Sequence, residues 1–258
     1  MSAATTGVPG LENKRRVRSD RAIQVADVLR RQVLQGTLSD PLLPSESRLA
    51  TEFGVSRNTI RESLDLLRRE GLVERVSGLG TRVVCSKYAH GIDELCGLAE
   101  TLHGVGRVRN EVRISGLVPA PGAVARRLGI ASGDSVMYIE RRRFVDDLPL
   151  SLDLTYVVRD LGERLVQQDL AANDVFVLLE RLAGAPLGDA EMALEAVSAD
   201  AHSAAILGVP SGAPLMMLER LTRLQDGRPV DLEFIRMRGD RVTMRGTARR
   251  NAKEVYAG

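Results

Sequence analysis

The chain has 258 residues, 44% hydrophobic, 27% charged and 3% aromatic, with a net charge of +2, and that length suffices for two domains with separate cores. No apolar run approaches the roughly 18 residues of a membrane-spanning helix, and the opening MSAATTGVPGLENKRR lacks the apolar segment of a secretion signal, so a cytoplasmic protein is expected. Two cysteines, Cys85 and Cys96, cannot build a disulfide framework and read as reduced thiols, and the scattered His90, His103 and His202 offer no metal-ligand spacing, so neither metal nor cofactor is expected.

The charge is unevenly spread. Residues 14–87 carry 15 Lys/Arg against 9 Asp/Glu, whereas residues 88–258 carry 21 against 24. A basic first third is what a segment facing a polyanion requires.

Residues 1–13 are small, polar and punctuated by Gly and Pro, the composition of a disordered tail, which is taken to extend over residues 1–19 up to the first apolar period. From Asp20 the apolar set Ile23, Val25, Ala26, Val28, Leu29, Val33 and Leu34 predicts an amphipathic helix ending near Gly36. Ser45, just after Pro44, predicts the N-cap of a second helix that buries Leu49, Ala50 and Phe53 and stops at Gly54. Ser56 then caps a third helix whose apolar residues Ile60, Leu64 and Leu67 stand at i, i+4 and i+7.

Arg57, Asn58 and Arg61 fall off that stripe and face outward together near the helix start. Such side chains fork onto base edges in a DNA major groove, arginine onto guanine and asparagine onto adenine, while Ser56 and Thr59 suit phosphates at the positive end of the helix dipole. After Gly71, LVERV and TRVVC flank the turn SGLG as a two-stranded wing. Three helices and a hairpin over residues 20–86 make a winged helix-turn-helix.

In this stretch LPSESRLATEFGVSRNTIRESLDLLRREGLVERVSGLGT resembles the DNA-binding domain of the GntR family of bacterial transcription regulators, with the match spanning residues 22–84. The resemblance implies that Ser45, Ser56, Arg57, Asn58, Thr59 and Arg61 contact an operator and that Ser77 and Gly78 form a wing tip in the minor groove. Family members commonly carry arginine directly after the glutamate of the Pro-Ser-Glu motif. Here Ser47 stands there, and Arg48, one residue later, becomes the candidate contact.

Residues 87–106 read as a linker with a short helix. Beyond it the chain repeats itself: VARRLGIASGDSVMYIER at 124–141 aligns without gaps on SAAILGVPSGAPLMMLER at 203–220, and the likeness continues through the following hairpins with one inserted residue. Each copy reads as helix, turn, strand, acidic turn and strand, so two copies predict one shared sheet with a pseudo-twofold axis. With RDLGERLVQQ and NDVFVLLERLAG as intervening helices, the class is α+β.

This duplication resembles the UTRA domain of the HutC-like branch of the same family, over residues 107–250, leaving 251–258 as a tail. The resemblance implies a chorismate-lyase-like antiparallel sheet that binds a small metabolite between its halves. On a strand Arg141 and Arg143 share one face and Arg142 takes the other. Turned toward a ligand, the first two form an anion clamp for phosphate or carboxylate. Asp153 and Glu233 hold matching places after the two hairpins and suit ligand hydroxyl or amino groups. Arg141 recurs as Arg220 and Glu140 as Glu219, so Glu140–Arg141 and Glu219–Arg220 pairs that merely brace the two hairpins are the alternative.

The resulting expectation is a ligand-responsive transcription repressor. It would bind a palindromic operator as a homodimer and be released by a small, phosphorylated or carboxylated effector. A sensor domain that only dimerises, or docks another protein, is the alternative. No nucleophile elbow and no clustered catalytic pair supports an enzyme, and no catalytic residue is assigned.

Overall fold

The computed structural model describes residues 9–35, 41–84, 87–102 and 106–248. The chain divides into two compact units, Met1–Lys87 and Tyr88–Gly258. Cys85, His103 and the proposed tail 251–258 lie outside the described residues.

The first unit holds α1 (Pro9–Gln35), α2 (Glu46–Glu52), α3 (Arg57–Arg69), β1 (Val73–Val76) and β2 (Gly80–Val83). α1 starts eleven residues before the expected Asp20, so residues 9–19, read as tail, are helical. Its buried side chains Ala22, Val25, Ala26, Leu29 and Val33 follow one helical stripe, and Ile23 and Val28 fall off it at 47% and 48% exposure, contrary to the sequence reading. The stripe packs on Ile60, Leu64 and Leu67 of α3, with Leu43, Leu49, Leu72 and Val73 closing the core. Each such leucine contributes about 1.5–3 kcal/mol by burial.

Ser45 and Ser56 cap α2 and α3 through hydroxyls that accept the backbone N–H of Arg48 at 3.3 Å and of Thr59 at 3.2 Å. Gly54 makes the turn between the helices at φ +60°, a conformation that costs a residue with a Cβ. β1 and β2 pair antiparallel as the wing, and Pro41 and Leu43 bond to β2 through backbone groups at 2.8 Å, tying the loop before α2 to the hairpin.

The second unit contains β3 (Tyr88–Gly91), α4 (Leu98–Thr101), β4 (Val108–Pro119), α5 (Gly122–Leu128), β5 (Ser135–Val145), β6 (Leu148–Val158), α6 (Arg159–Leu165), α7 (Val175–Ala183), β7 (Leu187–Ser198), α8 (Ala201–Leu207), β8 (Pro214–Leu224), β9 (Pro229–Arg238) and β10 (Val242–Arg245). Six strands form one antiparallel sheet in the order β4-β5-β6-β9-β8-β7. The repeated segments are α5–β5 and α8–β8, and their hairpin partners β6 and β9 meet at the sheet centre, which places the pseudo-twofold axis between them. Asp146 and Asp147 turn the first hairpin at φ 49° and 64°, values that aspartate tolerates better than bulkier residues.

β3 pairs in parallel with β10, and α4 follows it, so the segment read as linker contributes structure to this unit. Leu102, Val145, Leu150, Leu218, Ile235, Met237 and Val242 form an apolar cluster beside β3 and β10. A larger one gathers α5, α6 and α7 residues, including Leu128, Leu161, Leu165 and Leu178, with Val136, Met137 and Ile139 of β5. α8 packs its Ala204, Ile206 and Leu207 on Leu152 and Leu215.

Candidate nucleic-acid interface and buried charge cluster

In the first unit α3 presents Ser56, Arg57, Asn58 and Arg61 as exposed residues, and Ser45, Arg48, Ser77 and Gly78 are exposed as well. Gly78 takes φ +79° at the wing tip, where Leu79 is 68% exposed. Thr59 departs from the expectation of a phosphate contact. It is only 4% exposed, and its hydroxyl lies 2.9 Å from that of Ser56, so it completes the helix cap instead of facing outward. Arg61 is joined through Nε to Glu46 Oε2 at 2.7 Å, a partner that sequence reasoning did not single out.

In the second unit strand register sets the site. Side chains directly opposite in an antiparallel sheet share a face. Arg143 faces Asn110 and Ser151, Arg141 faces Asp153, Thr155 faces Glu233, and Glu233 faces Arg220. These residues therefore make one polar band across five strands, and all are buried. Thr222 and Asp231 lie opposite each other one step along the same face, also buried.

Arg142 points the other way, as expected, donating to the Ile206 carbonyl at 3.2 Å and to Glu111 at 2.7 Å. The bracing alternative for Glu140 and Arg141 fails in its stated form. Glu140 accepts from Arg113 on the opposite face at 2.7 Å, while Arg141 lies 3.7 Å from Asp153.

The band repeats one ion pair in each half of the sheet, Arg141–Asp153 and Arg220–Glu233, the latter at 2.5 Å. Arg143 adds a bond to Asp153 at 3.1 Å and approaches Asp174, the N-cap of α7, at 3.6 Å. Phe176 of α7 stacks under the Arg220 guanidinium, 4.3 Å from ring centre to carbon. The Cys96 carbonyl accepts from Arg220 at 3.3 Å, and Gly97 sits so close to Asp174 that any Cβ there would strike the carboxylate. β3 supplies His90, also buried.

The charges are not fully satisfied by one another. Arg141 Nε and Nη1, Arg143 Nε and Nη1, His90 Nδ1 and both Asp231 oxygens are buried without a hydrogen-bond partner. Unpaired buried polar groups of this kind are costly and concentrate at functional sites. Burial, and then the like charge of Arg143, push the Arg141 guanidinium down from its usual value. For Arg143 burial works against the charge, but Asp153 and Asp174 outweigh it and the net shift is upward. Burial and adjacent Glu233 hold the Asp231 carboxyl well above the ordinary range.

Burial, with Arg220 and Arg143 nearby, lowers His90 from 6.5 to about 4. The unfolded chain then takes up this proton first, so the stability that neutral His90 provides is present above about pH 6.5 and is lost as pH falls toward 4. Asp231 titrates with the opposite sign in wild type and variant alike, so the comparison between them isolates the histidine. His90→Asn is expected to remove up to about 1.4 kcal/mol per pH unit from the slope of stability between pH 6.5 and 5. Urea unfolding at stepped pH measures it, and identical slopes would show that His90 is not held neutral by the fold.

All four residues proposed for effector binding, Arg141, Arg143, Asp153 and Glu233, thus come together. Sequence reasoning missed Asp174, Asp231 and His90 as members of the band. Asp231 was the accessible one, two positions before Glu233 and so on the same strand face, whereas nothing in the sequence connects His90 to a strand more than a hundred residues away. Among the described residues no group of His, Cys, Asp or Glu is placed to hold a metal, and no helix is long and apolar enough to cross a membrane.

Comparison with known proteins agrees with both units. Residues 21–83 match the model of bacterial regulatory proteins of the gntR family, and residues 105–243 match the UTRA domain. The chain is 31% identical to the HTH-type transcriptional repressor NagR of Bacillus subtilis over 85% of its own length and 91% of that protein. It is 28% identical to the histidine utilization repressor of Pseudomonas aeruginosa, covering 70% of this chain and 72% of that one. The crystal structure of PhnF from Mycobacterium smegmatis superposes with a TM-score of 0.65 at 23% identity, covering 88% of this chain and all of the other, which supports the fold.

Proposed function

From the premise that this chain belongs to the GntR family of bacterial regulatory proteins and is a transcriptional regulator with a UTRA domain, we propose that it is a cytoplasmic repressor that binds a palindromic operator as a homodimer and is released by a small anionic metabolite. Residues 20–86 act as the DNA-binding domain, with Arg57, Asn58 and Arg61 reading bases. Ser45, Arg48, Ser56, Ser77 and Gly78 position the head on the duplex. Residues 107–250 act as the sensor and dimerisation domain. Exposed Val112, Ile114 and Leu117 on edge strand β4, and Met192 and Leu194 on edge strand β7, support a subunit contact along the sheet.

The observation that carries the effector reading is the set of guanidinium N–H groups on Arg141 and Arg143, buried on one strand face without acceptors. A phosphate or carboxylate supplies oxygens in the geometry those donors require. Asp153, Glu233 and Asp231 accept from hydroxyl or amino groups on the same ligand. Binding shifts the population toward a dimer whose heads no longer fit the half-site spacing.

The test is a thermal-shift screen of the full chain against sugar phosphates, carboxylates and inorganic phosphate, followed by operator binding with each hit. A ligand at about a hundred times its Kd raises stability by about 2.7 kcal/mol. Arg143→Gln is expected to keep operator affinity and lose both the shift and the release. A variant that still released its operator with the same ligand would remove Arg143 from the site.

A further inference from the structure

An acidic residue beside the outward face of α3 is at odds with a surface that must approach phosphates. Glu46 is the first residue of α2, and Arg61 lies one turn into α3. Glu46 Oε2 accepts from Arg61 Nε at 2.7 Å, with the two side chains 30% and 57% exposed. Among the described residues this is the bond that Arg61 makes, and it engages Nε. The guanidinium is planar, so fixing Nε fixes the direction of its far edge, where Nη1 and Nη2 form a fork. That fork is the group that pairs with O6 and N7 of guanine.

Resting on the assignment of Arg61 as a base-reading residue, we propose that Glu46 is a positioning residue for specificity: it holds Arg61 by Nε and so aims its Nη fork at one guanine of the operator. The same carboxylate repels phosphates, and it therefore lowers affinity for DNA of any sequence while sharpening the choice at one base pair. A purely structural role makes a different forecast. An acid in the first turn of α2 interacts favourably with the helix dipole whether or not it reaches Arg61. Aspartate at position 46 would keep that role and fall one methylene short of the arginine.

The experiment uses full-length wild type, Glu46→Ala, Glu46→Asp, Arg61→Ala and the Glu46→Ala/Arg61→Ala double variant, each checked for an unchanged melting curve. Binding is measured by competition against an operator library varied one base pair at a time and against a random-sequence duplex. Arg61→Ala is expected to lose about 5- to 150-fold discrimination at one base pair. Glu46→Ala and Glu46→Asp should each lose about tenfold at that same pair, Glu46→Ala should bind random duplex at least as tightly as wild type, and Glu46→Ala should change nothing further once Arg61 is gone.

Discrimination retained by Glu46→Ala, lost evenly along the operator, or kept in full by Glu46→Asp overturns the proposal. An Arg61→Ala variant with unaltered base preference overturns the underlying assignment, and the proposal with it.

Discussion

Asp153→Ala is expected to lower the stability of the protein by about 3–5 kcal/mol, the cost of breaking a buried ion pair from one side. Asp153 accepts from Arg143 at 3.1 Å and from the Ser151 hydroxyl at 2.6 Å, and Arg141 lies 3.7 Å away. Its removal leaves two guanidinium groups, separated by one residue on a strand, without their nearest carboxylate in a place that water does not reach. An added oxyanion should restore more of the loss in the variant than it adds to wild type, because it replaces the missing charge. Urea unfolding with and without phosphate reads both numbers. A loss below about 1 kcal/mol would mean that the arginines are not held by this residue.

Leu64→Ala should cost about 2–5 kcal/mol by leaving a cavity against α1. Leu64 is 1% exposed in a core of eleven buried residues, and a domain of that size has little stability to spare. The expected result is loss of operator binding, together with loss of amide protection across residues 41–84, while residues 106–248 keep theirs. Hydrogen exchange followed by mass spectrometry resolves the two regions. Equal loss of protection in both would show that the two units unfold as one.

Most of the first unit was legible because its signals are local. Caps at Ser45 and Ser56, the stripe Ile60–Leu64–Leu67 and the turn at Gly54 each act within a few residues, and the structure keeps them all. The start of α1 was not, since residues 9–19 are polar and carry no apolar period to mark a helix. In the second unit the repeat disclosed β5, β6, β8 and β9 and placed Arg141 and Arg143 on one face. Edge strands β4 and β7 lie outside the repeat, and β7 is exposed along most of its length, so burial leaves little pattern on its sequence. Thr59 shows the limit of reading residue type alone. A hydroxyl at a helix start serves the cap or the ligand, and only the geometry distinguishes them.

The two halves of the sheet also bear on how a duplicated fold acquires direction. A dimer of single repeats would place identical groups on either side of a dyad and would meet every ligand equally well in two reversed orientations. In this chain Arg141 and Asp153 keep their counterparts Arg220 and Glu233, but Arg143 corresponds to Thr222 and Ser151 to Asp231, pairs that stand opposite each other in the strand register. The two halves therefore differ at these positions, with an extra arginine in one and an extra aspartate in the other. The twofold symmetry is kept by the backbone and broken in the side chains, so the two ends of the band are chemically distinct and a molecule lying along it would meet different groups in each of its two orientations.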